Sequence, residues 1–263
     1  MPDLIASLAG FARKTMTIAE LEVRKLRHEP VDIFSRAVQP ALWLLIFGQV
    51  FTRVPGIPTG GLPYISFLTP GILAQSVLFI AIFYGIAIIW ERDLGITYKF
   101  LASPTPREAL VLGKALAAGL RGLLQAVIIY ALAALLGVAL NLSPVDLLGV
   151  VAAILLGATI FSTFSLIIAA LAKTREAFMG ISQLLIFPLF FASNAIFPIA
   201  LMPPWLQVVS RLNPLSYQVD ALRALMLVGG TSVYGLGVDF GVLLGLSAVL
   251  VFVGGRMYPR VAM

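Results

Sequence analysis

The chain reads as an all-α integral membrane protein with six transmembrane helices, and three observations carry that reading. Hydrophobic residues make up 60% and charged residues 11% of the 263 residues, against roughly 25% charged in soluble domains, and mean hydropathy is +1.02. A chain this apolar cannot cover itself with polar surface, so the bilayer is its solvent. Apolar runs alternate with short polar loops along the whole length, and no stretch is polar enough for a separate soluble domain, so 1–263 is one transmembrane domain. Fifteen of the 18 Lys and Arg fall in 1–36, 91–121, 173–176 and 254–263, leaving Arg53, Arg211 and Arg223 for the other side. Positive charge marks cytoplasmic loops. Both termini and the loops at 91–108 and 173–176 are therefore assigned to the cytoplasmic face of a multi-pass protein of the cell inner (plasma) membrane. The net charge of +6 is a topology signal and not a nucleic-acid signal.

Residues 1–30 predict an amphipathic helix that lies at the headgroup boundary. At 100° per residue Leu4, Leu8, Phe11, Ile18 and Leu26 share one face, Arg13, Glu20, Arg24 and Arg27 the other, and Pro30 stops it. The terminus is not a secretory signal, because its charges follow the short apolar piece. The first span lies between Arg36 and Arg53, short enough to need snorkelling or a start nearer Val31. Turn residues 54–64 lead to a second span, about 66–90, ending at Trp90. The third span, about 109–140, exceeds one bilayer crossing. Ser143, Pro144 and Asp146 form a capping-box-like start for a fourth span, about 146–172. The fifth is about 177–195, with Pro188 inside it, and the last about 233–253.

Between the last two spans, 196–230 holds two short amphipathic patterns, opened by Pro203-Pro204 and by Asn213-Pro214 and closed by Gly229-Gly230. They predict re-entrant or surface helices on the extracellular side, with Asp220 and Arg223 spaced to pair on one face. Gly237, Gly241 and Gly245, and likewise Gly149, Ala153 and Gly157, recur every four residues, a spacing that lets helices pack closely in lipid.

Several chemistries are excluded. Cys is absent, removing disulfides, thiolate metal sites and a Cys nucleophile. Gly113-Lys114 is followed by Ala115 and lacks the upstream Gly of a P-loop, so no nucleotide site is predicted. No His-Glu-x-x-His or Ser/His/Asp set exists, and His28 is the sole His. The chain is not expected to be an enzyme, and no cofactor or metal is expected in it. Arg121 and Asp239 are the ionisable candidates inside spans, both within snorkelling reach of an interface. No buried acidic relay is visible, which argues against an ion-coupled carrier and for energy supplied by another subunit. Phe79, Phe83 and Tyr84 on the second span, and Phe187, Phe190 and Phe191 on the fifth, form two aromatic clusters. They line a pathway for an amphiphilic substrate on one reading and are packing or lipid-facing bulk on the other.

The segment Trp90–Glu108, WERDLGITYKFLASPTPRE, is the densest polar stretch between two apolar runs. Ile96, Phe100 and Leu101 can anchor a short helix while the charges face water, and the Ser-Pro-Thr-Pro return is stiff. A rigid charged helix of this kind transmits a push from a soluble partner.

The stretch ERDLGITYKFLASPTPREALVLGKAL, the pattern NPLSYQVDALRALM and the six-span layout resemble the membrane subunit of type-2 ABC exporters, the daunorubicin-resistance and nodulation-export kind of permease. The resemblance covers essentially the whole chain. It implies a cytosolic ABC ATPase that holds ATP and Mg, a second permease copy forming a homodimer, a coupling helix in the first cytosolic loop and re-entrant helices before the last span. It places coupling on Glu91, Arg92, Asp93 and Gly95, with a second contact at Lys173, Arg175 and Glu176. The implied function is efflux of an amphiphilic compound (drug, antibiotic or lipid), with polysaccharide or glycolipid export as the runner-up; an ion-coupled secondary carrier and a non-transporting scaffold are the readings from other classes.

Overall fold

The computed structural model describes residues 2–26, 37–54, 57–103, 105–172 and 174–262. Pro30, Arg36, Pro104 and Lys173, each used above, lie outside the described residues, as does the chain between 26 and 37.

The described chain is helical, and its only strand-like pairing is a single antiparallel bridge between Leu140 and Leu227. In chain order the helices are α1 (Pro2–Leu26), α2 (Ala37–Thr52, with a π turn at Trp43–Gly48), α3 (Tyr64–Asp93), α4 (Ile96–Ala102), α5 (Arg107–Leu135), α6 (Pro144–Leu171), α7 (Arg175–Phe191), α8 (Pro204–Leu212), α9 (Pro214–Met226) and α10 (Leu236–Met257). Four stretches are long and apolar enough to cross a bilayer: α3, α5, α6 and Leu236–Arg260. Helices α2 and α7, at 16 and 17 residues, are shorter.

Helices α3 and α6 form the centre. They pack on each other, and α5, α9 and α7 pack around them. Lipid supplies no hydrophobic drive between helices, so close approach and shared hydrogen bonds must hold them. A Cβ on Gly85 of α3 would stand 2.1 Å from Ser165 Oγ of α6, and that hydroxyl donates to the Ile82 carbonyl across the same contact. Thr69 and Ser76 bond back to the carbonyls four residues earlier, which satisfies their hydroxyls without a second helix.

The helix starts follow the predicted proline and cap chemistry. Pro144, Pro204 and Pro214 each stand in a first turn, and Asn213 caps α9 by accepting from the Leu215 amide. Two predicted details change. Asp146 does not close a box with Ser143. It accepts instead from Asn141 Nδ2 at 2.7 Å, while Asn141 Oδ1 accepts from the Ser143 amide, so Asn141 organises this turn. The third span stops at Leu135, five residues before the expected Leu140, because Gly137 turns left-handed (φ +76°) and the Val138 amide folds back to the Ala133 carbonyl.

Larger corrections concern α9 and α10. Helix α9 is no surface helix: Leu215, Ser216, Gln218, Val219, Asp220 and Ala221 are among its buried residues, packed against α6, α10 and α3. Asp220 and Arg223 make no ion pair. Asp220 accepts from Ser232 Oγ and from the Val233 and Tyr234 amides. Arg223 donates to the Asn194 carbonyl and lies 3.8 Å from the Phe67 ring centroid. Spacing allowed the pair, but each side chain meets a different neighbour. Asp239, in the first turn of α10, is fully buried and shares Ser232 with Asp220, so it does not snorkel. A Cβ on Gly237, Gly241 or Gly245 would meet nothing within 4 Å among the described residues, because α10 turns Asp239, Leu243 and Ser247 inward instead. The predicted close packing does hold at Gly149 and Gly157, which meet Leu225 and Gln218 of α9.

Candidate functional site

The loop after the second span is a rigid corner. Helix α3 ends where Gly95 takes φ +70°, with the Leu94 amide bonded to the Trp90 carbonyl and the Gly95 amide to the Arg92 carbonyl. Glycine reaches this conformation without the Cβ strain that other residues suffer. The seven-residue α4 follows, with Thr97 buried and Phe100 and Leu101 packed on a cluster that includes Ile88, Ile89, Leu110, Phe178 and Tyr258. Leu94 (72% exposed), Tyr98 and Trp90 point outward. Of the expected anchors Phe100 and Leu101 join this cluster and Ile96 does not, and of the charges expected to face water Asp93 and Lys99 are exposed. Substituting Gly95→Val is expected to destabilise the corner by about 1–2 kcal/mol, read as increased protease cleavage within 94–103.

The two charged segments predicted to act together meet in space. Arg175 Nη2 lies 2.7 Å from Asp93 Oδ2, and its Nε lies 3.2 Å from the same oxygen. The Arg175 guanidinium also sits over the Trp90 ring at 5.2 Å. Arg92 donates to the Ala172 carbonyl at 3.1 Å. Thr174 caps α7 by accepting from the Ala177 amide, and Glu176 stands exposed in the first turn, where the helix dipole favours an acid. The end of α3 and the start of α7, 82 residues apart between Asp93 and Arg175, are thus clasped by side chains.

Glu91 departs from expectation. It is 5% exposed and does not face water. Its carboxylate takes Lys114 Nζ of α5 at 2.5 Å, and the same ammonium lies 3.3 Å from Glu22 of α1 and 5.5 Å from the Phe100 ring centroid. Burial of a charge demands such pairing. The approach of α1 depends on Gly113, where a Cβ would stand 2.6 Å from Ile18 Cβ. Sequence reasoning missed Glu22 and Lys114. The signals were present: Glu22 lies four residues after Ile18 on the apolar face of α1, and Lys114 stands alone among the small residues of 109–119. Through Lys114 the N-terminal helix is keyed to the residue that opens the corner. On α1 itself Ile18 is buried, and Arg13, Glu20 and Arg24 are exposed, as the pattern predicted.

The aromatic residues do not form one lining. Phe79 and Phe83 are half-buried and 6.1 Å apart on α3. Tyr84 is buried beneath the Arg121 guanidinium, 5.0 Å from its ring centroid. Phe190 is buried edge-on to Trp43 of α2, whereas Phe187 and Phe191 stack on the exposed side of α7. No group of three or more metal-ligating side chains occurs among the described residues.

Known proteins share this chain's pattern. Residues 13–227 match the family model described as ABC-2 type transporter. The chain is 30% identical over 207 residues to the ycf38 transport permease of Cyanophora paradoxa, covering 76% of this chain and 70% of that protein. It is 28% identical over 248 residues to the daunorubicin resistance ABC transporter permease DrrB1 of Streptomyces coeruleorubidus, covering 93% and 85%. It is 28% identical over 231 residues to nodulation protein J of Rhizobium meliloti (strain 1021), covering 87% and 86%.

Proposed function

This chain belongs to the ABC-2 type transporter family, and from that premise we propose that it is the six-span permease through which a cytosolic ATPase drives an amphiphilic compound out of the cell. It is a multi-pass membrane subunit of an ABC transporter and not an enzyme. ATP and Mg²⁺ bind in the partner, and the permease converts the partner's closing into helix movement. Four long apolar helices, with α2 and α7 as shorter crossings, support six spans. The positive residues concentrated at 1–36, 91–121 and 254–263 support cytoplasmic termini in the plasma membrane. The relative named for daunorubicin resistance supports a drug-like amphiphile as cargo.

One observation carries the coupling role, the clasp of Asp93 to Arg175 behind a helix whose outer face is open. A push on α4 passes through this clasp to α7 and, through Glu91 and Lys114, to α1 and α5. Glu91 acts inside this assembly; Arg92, Asp93, Gly95, Arg175 and Glu176 act at its surface. A second permease copy completes the transporter, and the adjoining outward faces of α2 and α7, with Leu45, Ile46, Phe47, Leu184, Phe187 and Phe191 exposed, support a homodimer.

The test uses the permease expressed with its partner ABC ATPase. Arg175→Glu sets two acids against each other and is expected to lower ATP hydrolysis by the purified complex at least fivefold, with the permease still in the membrane. The swap Asp93→Arg with Arg175→Glu is expected to restore most of it. Native hydrolysis by the single variant would sink the coupling role.

A further inference from the structure

Midway along the 30-residue α3, between Gln75 and Phe83, the helices separate around a cavity of about 280 Å³. Its walls carry Gln39 and Pro40 of α2, Gln75, Ser76, Phe79, Ile80 and Phe83 of α3, and Gln125 of α5. Three amides from three helices, remote in sequence, thus converge on one cavity. Gln75 and Gln125 are buried, and Gln125, at 2% exposure, has an Nε2 with no hydrogen-bond partner among the described residues. A buried donor is normally satisfied, and lipid tails offer it nothing. Ser76 already gives its proton to the Ile72 carbonyl. The structure therefore presents unsatisfied donor capacity beside two half-buried aromatic rings.

Among the described residues no charged side chain lines the cavity. Arg121, one turn before Gln125 on α5, is engaged over the Tyr84 ring. A charged ligand would find no counter-ion there among the described residues, and desolvating it would be costly. The volume lies at the lower edge of the roughly 300–1,000 Å³ of ligand sites, which suits one ring system or compact head and leaves any tail outside.

We propose that this cavity is a binding site for the uncharged polar head of an amphiphile, a planar apolar ring bearing a carbonyl or another hydrogen-bond acceptor. Gln125 donates to the acceptor, Gln75 and Gln39 complete its polar surround, and Phe79 and Phe83 pack against the ring. This assigns a substrate class to the export reading above and rests on it. Binding is measured on the permease alone, so failure here leaves the partner-ATPase reading to be judged by its own test.

The probe is Nile red, an uncharged planar dye with a ring carbonyl, titrated by fluorescence against the permease in phosphatidylcholine nanodiscs. Nile blue, the cationic analogue on the same ring frame, is the contrast. Gln125→Leu is expected to weaken Nile red binding about tenfold and to leave the already weak Nile blue signal unchanged. Gln75→Leu, on a different helix, is expected to do the same and serves if the first variant fails to fold. Absence of Nile red binding to the native protein, equal binding of the two dyes, or native affinity in both folded variants would overturn the proposal. Nanodiscs of ether-linked phosphatidylcholine, which has no ester carbonyls, separate cargo from lipid. Unchanged affinity there supports a cargo site, whereas a tenfold rise gives the cavity to lipid carbonyls and overturns it.

Discussion

Replacing Lys114 by Met is expected to destabilise the protein by about 3–5 kcal/mol, the usual consequence of removing one partner from a buried charge cluster. The side chain of Lys114 is 3% exposed and those of Glu22 and Glu91 are 2% and 7% exposed, so two buried carboxylates would both lose the ammonium between them. Methionine nearly preserves the volume, which confines the change to charge. The purified variant should melt at a lower temperature than native protein and accumulate less in the membrane. Combining Lys114→Met with Glu22→Gln and Glu91→Gln is expected to recover part of the loss, because neither side chain then needs the Lys114 ammonium as its counter-ion. A single variant with native melting would mean that Lys114 does not hold α1 against α3 and α5. Since Glu91 opens the corner at Gly95, the partly active intermediate variants should also show weaker stimulation of the partner's ATP hydrolysis.

Asp220→Ala is expected to cost about 2 kcal/mol, from two backbone amides left without their acceptor at roughly 1 kcal/mol each, because Ser232 keeps Asp239 as an acceptor. Ser232 Oγ, the Val233 amide and the Tyr234 amide all converge on one oxygen of Asp220, and Ser232 in turn accepts from the Gly235 amide at the cap of α10. The carboxylate therefore fixes the segment that leads into the last span. Hydrogen exchange at the 233 and 234 amides should speed up well before that of the central helices. Asp220→Asn keeps an acceptor oxygen and is expected to lose only about 1 kcal/mol. Slow exchange at both amides in Asp220→Ala would show that the loop is held by something else.

Much of this arrangement was legible along the chain because it depends on neighbours in sequence. Proline and Asn213 announced the starts of α6, α8 and α9. The apolar face of Phe11 and Ile18 announced α1, and Ile96 to Leu101 announced the short helix after Gly95. Charge marked the segments at 91–95 and 173–176, the resemblance gave them a shared role, and Asp93 of one meets Arg175 of the other. Reading failed where two partners were equally compatible with spacing. Asp220 and Arg223 stand three residues apart and could have paired, yet each meets a different segment. Glu91 sits in the same charged run as Arg92 and Asp93, yet its direction along the helix turns it toward α5. The glycines of α10 carry the same four-residue signature as those of α6, and among the described residues only the latter are packed within the chain.

By itself the sequence determined the membrane as solvent, the order and approximate limits of the helices and the polar corner at 91–108. All of these follow from composition, periodicity and turn chemistry, which act locally. Tertiary structure alone decided that Glu91, Lys114 and Glu22 share one buried cluster, that Asp93 clasps Arg175, and that Gln39, Gln75 and Gln125 surround one cavity. Within a bilayer every helix face is apolar, so hydropathy does not sort which face meets which. Close packing and the need to satisfy each buried polar group make that choice, and both are properties of the assembled helices.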